Sequence, residues 1–182
     1  VSEEVKMGEH YCLAEGCDCN GWLRKREPEE VKYEELKCVE YHKNFDCEVP
    51  DWQSILEDFS TSLLEGAETL HICPSFFVSH NSYRIPEVGK VLSKVGCRVA
   101  HSYINLAATG DGFGWHSDDR DVWFWQVQGY TKWELEGGAE YLLSPGDLLE
   151  VPKQMSHRVT SSTPRCGISM SRLVSNKKSI KQ

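Results

Sequence analysis

Long apolar runs are missing from this 182-residue chain: charged or polar residues interrupt every apolar stretch well short of a membrane span. No basic segment followed by an apolar core stands at its start. A secretory signal is therefore not legible, and an intracellular setting, most simply cytoplasmic, is expected. Positive charge is also scarce. The net charge is −8, with a balance of −9 over residues 1–60 and +1 over residues 61–182. A chain without a basic face has little to release counterions from phosphates, which argues against general nucleic-acid binding, although a specific nucleic-acid substrate stays open. Lys177, Lys178 and Lys181 read as a solvated basic tail over 177–182. Internal repeats and low-complexity tracts are absent too.

Cysteine is not scarce. Eight are present, and without a secretory context they read mainly as reduced thiols, with disulfides as an alternative. Cys12, Cys17 and Cys19, with Cys38, His42 and Cys47 downstream, form a candidate structural zinc site, although the spacing matches no common zinc ribbon or finger. Apolar residues make up 40% and aromatics 10%, enough to fill the core of one domain of this length.

Residues 1–50 are acidic and weakly patterned, and Glu29 to Cys38 fits a short helix or an irregular strand equally well. Asp51 is a good helix N-cap. Behind it Trp52, Ile55, Leu56, Phe59, Leu63 and Leu64 recur at helical spacing up to Gly66. Leu70 to Cys73 reads as a short strand, and Pro86 to Lys94 as a second helix stopped by Gly96. From Cys97 onward short β-rich segments succeed one another at 98–107, 121–128, 130–135, 139–143, 147–152, 157–162 and 166–174, with Gly or Pro between them. Many short strands with regular turn signals predict a mainly β sandwich or barrel. Residues 1–96 are expected to form an α/β lead-in packed on a barrel spanning 97–176.

The chemistry concentrates in Gly110-Asp-Gly-Phe-Gly-Trp-His116-Ser-Asp118. His and a carboxylate two apart on extended backbone share a face and can grip one metal ion from one side. His157, after Gly146, an apolar strand and a turn begun by Pro152, supplies a third ligand. Two imidazoles and a carboxylate leave open positions on an octahedral ion, the arrangement suited to Fe(II) beside a chelating co-substrate.

At these residues the sequence resembles the cupin superfamily. Gly110 and His116 keep the spacing of its first motif, with Asp118 where a second His is usual. Gly146, Pro152 and His157 keep that of the second, with Gln154 where a Gly is usual. Within cupins, the His116 segment and Gln126-Val-Gln-Gly129-Tyr130-Thr-Lys132-Trp133 are similar to the JmjC-type 2-oxoglutarate oxygenases, which include protein hydroxylases. The resemblance covers residues 98–174. It implies a double-stranded β-helix (cupin, jelly-roll) barrel with an N-terminal α/β elaboration. It also implies Fe(II) on His116, Asp118 and His157, with 2-oxoglutarate and O₂ as co-substrates. The substrate would be a protein side chain, a peptide, a nucleotide or a small molecule. Two alternatives stand beside it, a metal-dependent cupin enzyme that does not use 2-oxoglutarate and a non-catalytic binding module.

The resemblance also implies a cation for the far carboxylate of 2-oxoglutarate. The family's position falls on Thr131, which carries no charge. Lys132, one residue on, faces the other way on a regular strand unless a bulge returns it. Arg172 ranks ahead of it, placed as in other 2-oxoglutarate oxygenases and able to grip a carboxylate with two prongs. Thr131, Ser169 and Tyr103 are expected as hydroxyl helpers, with Asn105 and Phe124 lining the pocket. Alternation from Asp118 turns Val122, Phe124 and Gln126 toward the metal and Trp123 and Trp125 outward. His10, His42, His71, His80 and His101 read as ordinary surface or interior residues. Asp111, Asp119, Arg120, Asp121 and Lys153 read as solvated loop charges, with substrate contact at the barrel mouth as the alternative.

Overall fold

The structure, a computed structural model, describes residues 36–66, 69–73, 75–80, 82–107 and 112–172. The zinc candidates Cys12, Cys17 and Cys19 lie outside these residues, as do Asp111 and the basic tail. Ten strands and two α-helices form among the described residues. β1 (Glu40–His42) precedes α1 (Trp52–Leu64). β2 (Thr69–Cys73) and β3 (Phe76–His80) follow, then α2 (Pro86–Val95) and β4 (Val99–Asn105). The remaining strands are β5 (Val122–Gln128), β6 (Thr131–Leu135), β7 (Glu140–Leu143), β8 (Leu148–Val151), β9 (His157–Ser161) and β10 (Arg165–Ser171).

The strands build two antiparallel sheets. Seven run in the order β1-β8-β5-β10-β4-β3-β2, and three in the order β7-β6-β9. This is the mainly β, double-stranded β-helix architecture that the strand pattern and the resemblance predict. The larger sheet takes β1, β2 and β3 from before residue 97 and its other four strands from after it. Neither β1 nor β3 is anticipated from the sequence. β1 is only three residues long, and β3, whose partner is β4, lies in a Phe-Phe-Val-Ser-His run directly behind Cys73-Pro-Ser.

Two apolar cores lie on opposite faces of the larger sheet. On its outer face Ala100, Ile104, Trp123, Trp125, Ile168 and Met170 pack against Ile55 of α1 and Val88, Val91 and Leu92 of α2. On its inner face Val122, Phe124, Leu149 and Val151 meet Trp133 and Leu135 of β6 and Leu143 of β7. The residues of β5 thus alternate as expected, Trp123 and Trp125 under the helices and Phe124 inside. α1 starts where the Asp51 carboxylate accepts from the Ser54 backbone N–H at 2.8 Å, and α2 has Pro86 in its first turn and ends at Gly96. Among the described residues no helix is long and apolar enough to cross a membrane.

Two glycines permit the barrel to close tightly. Gly129, between β5 and β6, has φ of +66°, and a Cβ there would overlap the Pro164 carbonyl. A Cβ on Gly167 of β10 would overlap the Phe124 ring, so that ring lies across bare backbone. Any larger residue at either position must displace a packed neighbour.

Candidate metal centre and its buried guanidinium

His116 and His157 are joined first by their backbones. The His116 N–H donates to the His157 carbonyl at 2.9 Å, and the His157 N–H returns to the His116 carbonyl at 2.8 Å. This isolated antiparallel bridge holds the two imidazoles side by side, with ring centroids 4.3 Å apart. Each ring is then oriented by its own turn. His116 Nδ1 donates to the Gly114 carbonyl at 3.0 Å, and His157 Nδ1 donates to the Met155 carbonyl at 2.9 Å. A carbonyl oxygen only accepts, so both protons are drawn to Nδ1 and both Nε2 lone pairs are left for a ligand.

Asp118 completes the group. Its Oδ2 lies 3.7 Å from His157 Nε2, and one donor atom from each of His116, Asp118 and His157 falls within 4.8 Å of the others. The loop carrying Asp118 is tied to the turn before His157: Gln154 N–H donates to the Asp118 carbonyl at 2.8 Å, and Lys153 N–H to Asp121 Oδ1 at 2.9 Å. Gln154 adopts φ of +62°, which gives a physical reason why a glycine is usual at that position. Trp133 stacks on His157 at 5.0 Å, and Phe113 meets His116 edge-on at 5.6 Å. Burial is the main cause pushing the His157 pKa down, with the neighbouring His116 adding to it; the Met155 carbonyl and Asp118 act in the opposite sense. A neutral buried imidazole is the form that ligates.

The inner face of the larger sheet continues from this group into a polar row. Tyr103 of β4 shares a hydrogen bond with Ser169 of β10; burial and then the Asp118 charge raise its pKa, against that bond and Arg165. Phe124 stands 6.4 Å from Tyr103 and 4.9 Å from Trp133, so aromatic rings link the two walls. Thr131 is buried, and its hydroxyl donates to Gln126 Oε1 at 2.8 Å. Asn105 is fully buried. Its Oδ1 accepts from Ser75 Oγ at 3.1 Å and from Ala107 N–H at 2.9 Å, while its Nδ2 has no partner.

Arg165 stands directly opposite Asn105 in the β4–β10 register. It is only 2% exposed, and its guanidinium lies over the Phe76 ring at 5.2 Å. Its Nε has no hydrogen-bond partner, and among the described residues no carboxylate pairs with it. Burial pulls its pKa down to about 10 from 12.5, so it stays charged at neutral pH. A buried cation without a counterion is costly, and so is a buried amide donor without an acceptor. Side by side, they leave room in the hydrogen-bonding account for one anionic group with acceptor oxygens.

The two cations named from the sequence are elsewhere. Lys132 stands on the outer face of β6, its Nζ 2.7 Å from Glu140 and 3.7 Å from Glu134. No bulge interrupts the pairing of β6 with β7 or β9, so its neighbours Thr131 and Trp133 take the inner face instead. Arg172 lies over the Trp123 ring at 4.5 Å, on the helix side of the sheet. Parity along β10 separates the two arginines: Ile168 and Met170 join the outer core and Arg172, just past the strand, shares their parity, whereas Arg165 shares that of Gly167 and Ser169. Sequence reasoning passed over Arg165 because it began the last strand at residue 166. The available signal was an arginine eight residues after His157, directly behind a Pro turn and two steps from Gly167.

Compared by sequence, the chain matches no family model and no curated protein. Compared by structure, it is similar to Escherichia coli YcfD, with a TM-score of 0.61 and 14% identity over 78% of this chain and 51% of that one. A structure of YcfD described as a ribosomal oxygenase in complex with cobalt and 2-oxoglutarate gives 0.57 and 16%, covering 78% of this chain and 49% of that one. Another of the E. coli ribosomal oxygenase gives 0.55 and 14%, covering 76% and 49%. The chain spans about half the length of these YcfD chains. At this identity the likeness establishes the shared fold, a barrel of the cupin type.

Proposed function

We propose that this chain is a non-haem Fe(II) oxygenase that uses 2-oxoglutarate, with the metal on His116, Asp118 and His157 and the far carboxylate of 2-oxoglutarate on Arg165. The observation that carries the reading is the pairing of two unlike features within one barrel interior. At one end one donor atom from each of His116, Asp118 and His157 lies within 4.8 Å of the others; on the same inner face lies a buried guanidinium with no counterion among the described residues. A metal-chelating dicarboxylate satisfies both at once. The likeness to a ribosomal oxygenase in complex with cobalt and 2-oxoglutarate supports it, and makes a protein side chain the substrate class to try first.

Bound Fe(II) would supply O₂ activation coupled to the decarboxylation of 2-oxoglutarate to succinate and CO₂, with oxidation of a substrate C–H bond. The chain's own residues supply the geometry. The Gly114 and Met155 carbonyls hold the imidazole tautomers, and Trp133 fixes the plane of His157. Arg165 anchors the co-substrate by a charge-assisted bond, and Asn105 Nδ2 donates beside it. Tyr103 and Ser169 present hydroxyls between the two ends. Phe124 and Phe76, both buried, exclude water from the wall around them.

The test is 2-oxoglutarate turnover in the presence of Fe(II), ascorbate and O₂, followed as succinate. The intact chain is expected to release succinate, His157→Ala none, and Arg165→Met little at low 2-oxoglutarate. A chain that releases no succinate under any of these conditions is a metal cupin of another kind or a binding module.

A further inference from the structure

The outer face of the larger sheet carries a second group of metal-type donors. β1 is a three-residue edge strand paired with β8, and Glu40 stands directly opposite Glu150. Two carboxylates facing each other across neighbouring strands repel, and positive charge between them relieves that repulsion. Glu40 and His42, two apart, share a face of β1 and bring an imidazole to that point. His42 Nε2 donates to Glu150 Oε1 at 2.9 Å and lies 3.9 Å from Glu40 Oε2, and one donor atom from each of the three falls within 4.8 Å of the others, so an ion there would take the place of the shared proton. Glu150 is largely covered, its side chain 15% exposed, whereas Glu40 is open to solvent and free to close in.

We propose that Glu40, His42 and Glu150 bind a divalent first-row metal ion, separate from the interior centre. One imidazole and two carboxylates suit such an ion, with the remaining positions left to water. Leu149 and Val151 flank Glu150 on β8 and face the inner core, so this group opens on the opposite side of the sheet from His116 and His157. The bound ion would fasten β1 to β8. It would add to the clasp in which Asp147 accepts from the Tyr41 hydroxyl and from the Asn44 and Ser144 N–H groups.

Mn(II) is the probe, because it takes imidazole and carboxylate donors and disfavours thiolates, so the cysteines do not register. Bound and free Mn(II) are counted by electron paramagnetic resonance on the full chain carrying His116→Ala and His157→Ala. One bound equivalent is expected to remain. Adding Glu40→Gln should weaken it by about tenfold or more, and adding His42→Gln should remove it. Glu40 is exposed, so its variant keeps the fold. The proposal is overturned if no ion binds once the interior histidines are gone, or if that binding is indifferent to both substitutions. An error in the interior assignment shows separately, as a count that His116→Ala and His157→Ala leave unchanged.

Discussion

The larger sheet buries both of its faces, yet the two are filled differently. On the helix side β4, β5 and β10 contribute Ala100, Ile104, Trp123, Trp125, Ile168 and Met170, and hydrocarbon meets hydrocarbon. On the barrel side the same three strands contribute His101, Tyr103, Asn105, Gln126, Arg165 and Ser169. The outer face accounts for stability, since apolar area removed from water is the main favourable term in folding. The inner face is divided: Val122, Phe124, Leu149 and Val151 add apolar burial of their own, but the row from β4 and β10 adds little. Its polar groups lose hydration, and Asn105 Nδ2 and Arg165 Nε regain no bond in exchange. That cost is what the proposed co-substrate would offset.

Substitutions that keep the two faces apart put this comparison at risk, and the largest effect belongs to the outer one. Trp125 is fully buried beneath the helices. Trp125→Ala should cost about 3–5 kcal/mol of unfolding free energy, measured by urea titration. Metal affinity should persist for as long as the chain is folded. A loss below about 1 kcal/mol would show that the helices do not cover this face as described.

The next effect is on the inner face and has the opposite character. Arg165→Met should raise the 2-oxoglutarate concentration needed for half-saturation by about a hundredfold, because one charge-assisted carboxylate clamp is removed. Its urea midpoint should stay level or rise, since a buried cation with no carboxylate partner among the described residues is exchanged for a side chain of similar size. Lys132→Met and Arg172→Met should leave half-saturation unchanged. If either reproduces the Arg165 effect, the face assignment is wrong.

The smallest effect is a pH dependence. His101 faces the interior and lies 3.0 Å, Nδ1 to Nδ1, from His80. Burial first, then His80 and Arg120, hold its pKa down to about 4 from 6.5. Between those values the unfolded chain carries a proton that the folded chain refuses. Stability therefore falls as pH is lowered through that window and is unaffected by this group above it. The loss should be roughly 2–3 kcal/mol, and it should shrink in His101→Gln when urea midpoints are compared at pH 7 and pH 4.5.

The legible parts of the molecule were those governed by local periodicity. His116 and Asp118 could be paired because two residues on extended backbone share a face. The outward Trp123 and Trp125 and inward Phe124 followed from the same alternation. α1 and α2 were marked by Asp51 and Pro86 at their starts and by Gly66 and Gly96 behind them. Arg165 was not legible, because its face depends on where β10 begins and on its pairing with Asn105, sixty residues earlier. Arg172 had a suggestive spacing from His157, but spacing without strand parity does not choose a face. β1 became visible only through its partner β8, since three residues carry no period of their own.

The central claim, that one barrel interior holds both the metal and a chelating 2-oxoglutarate, is tested most directly by anaerobic visible absorption. Fe(II) and 2-oxoglutarate added together to the intact chain should produce a metal-to-ligand charge-transfer band that neither produces alone. The band should be absent in His157→Ala, and in Arg165→Met it should require far more 2-oxoglutarate. A folded, Fe(II)-loaded chain that shows no band at saturating 2-oxoglutarate, or a band indifferent to His157→Ala, would contradict the account.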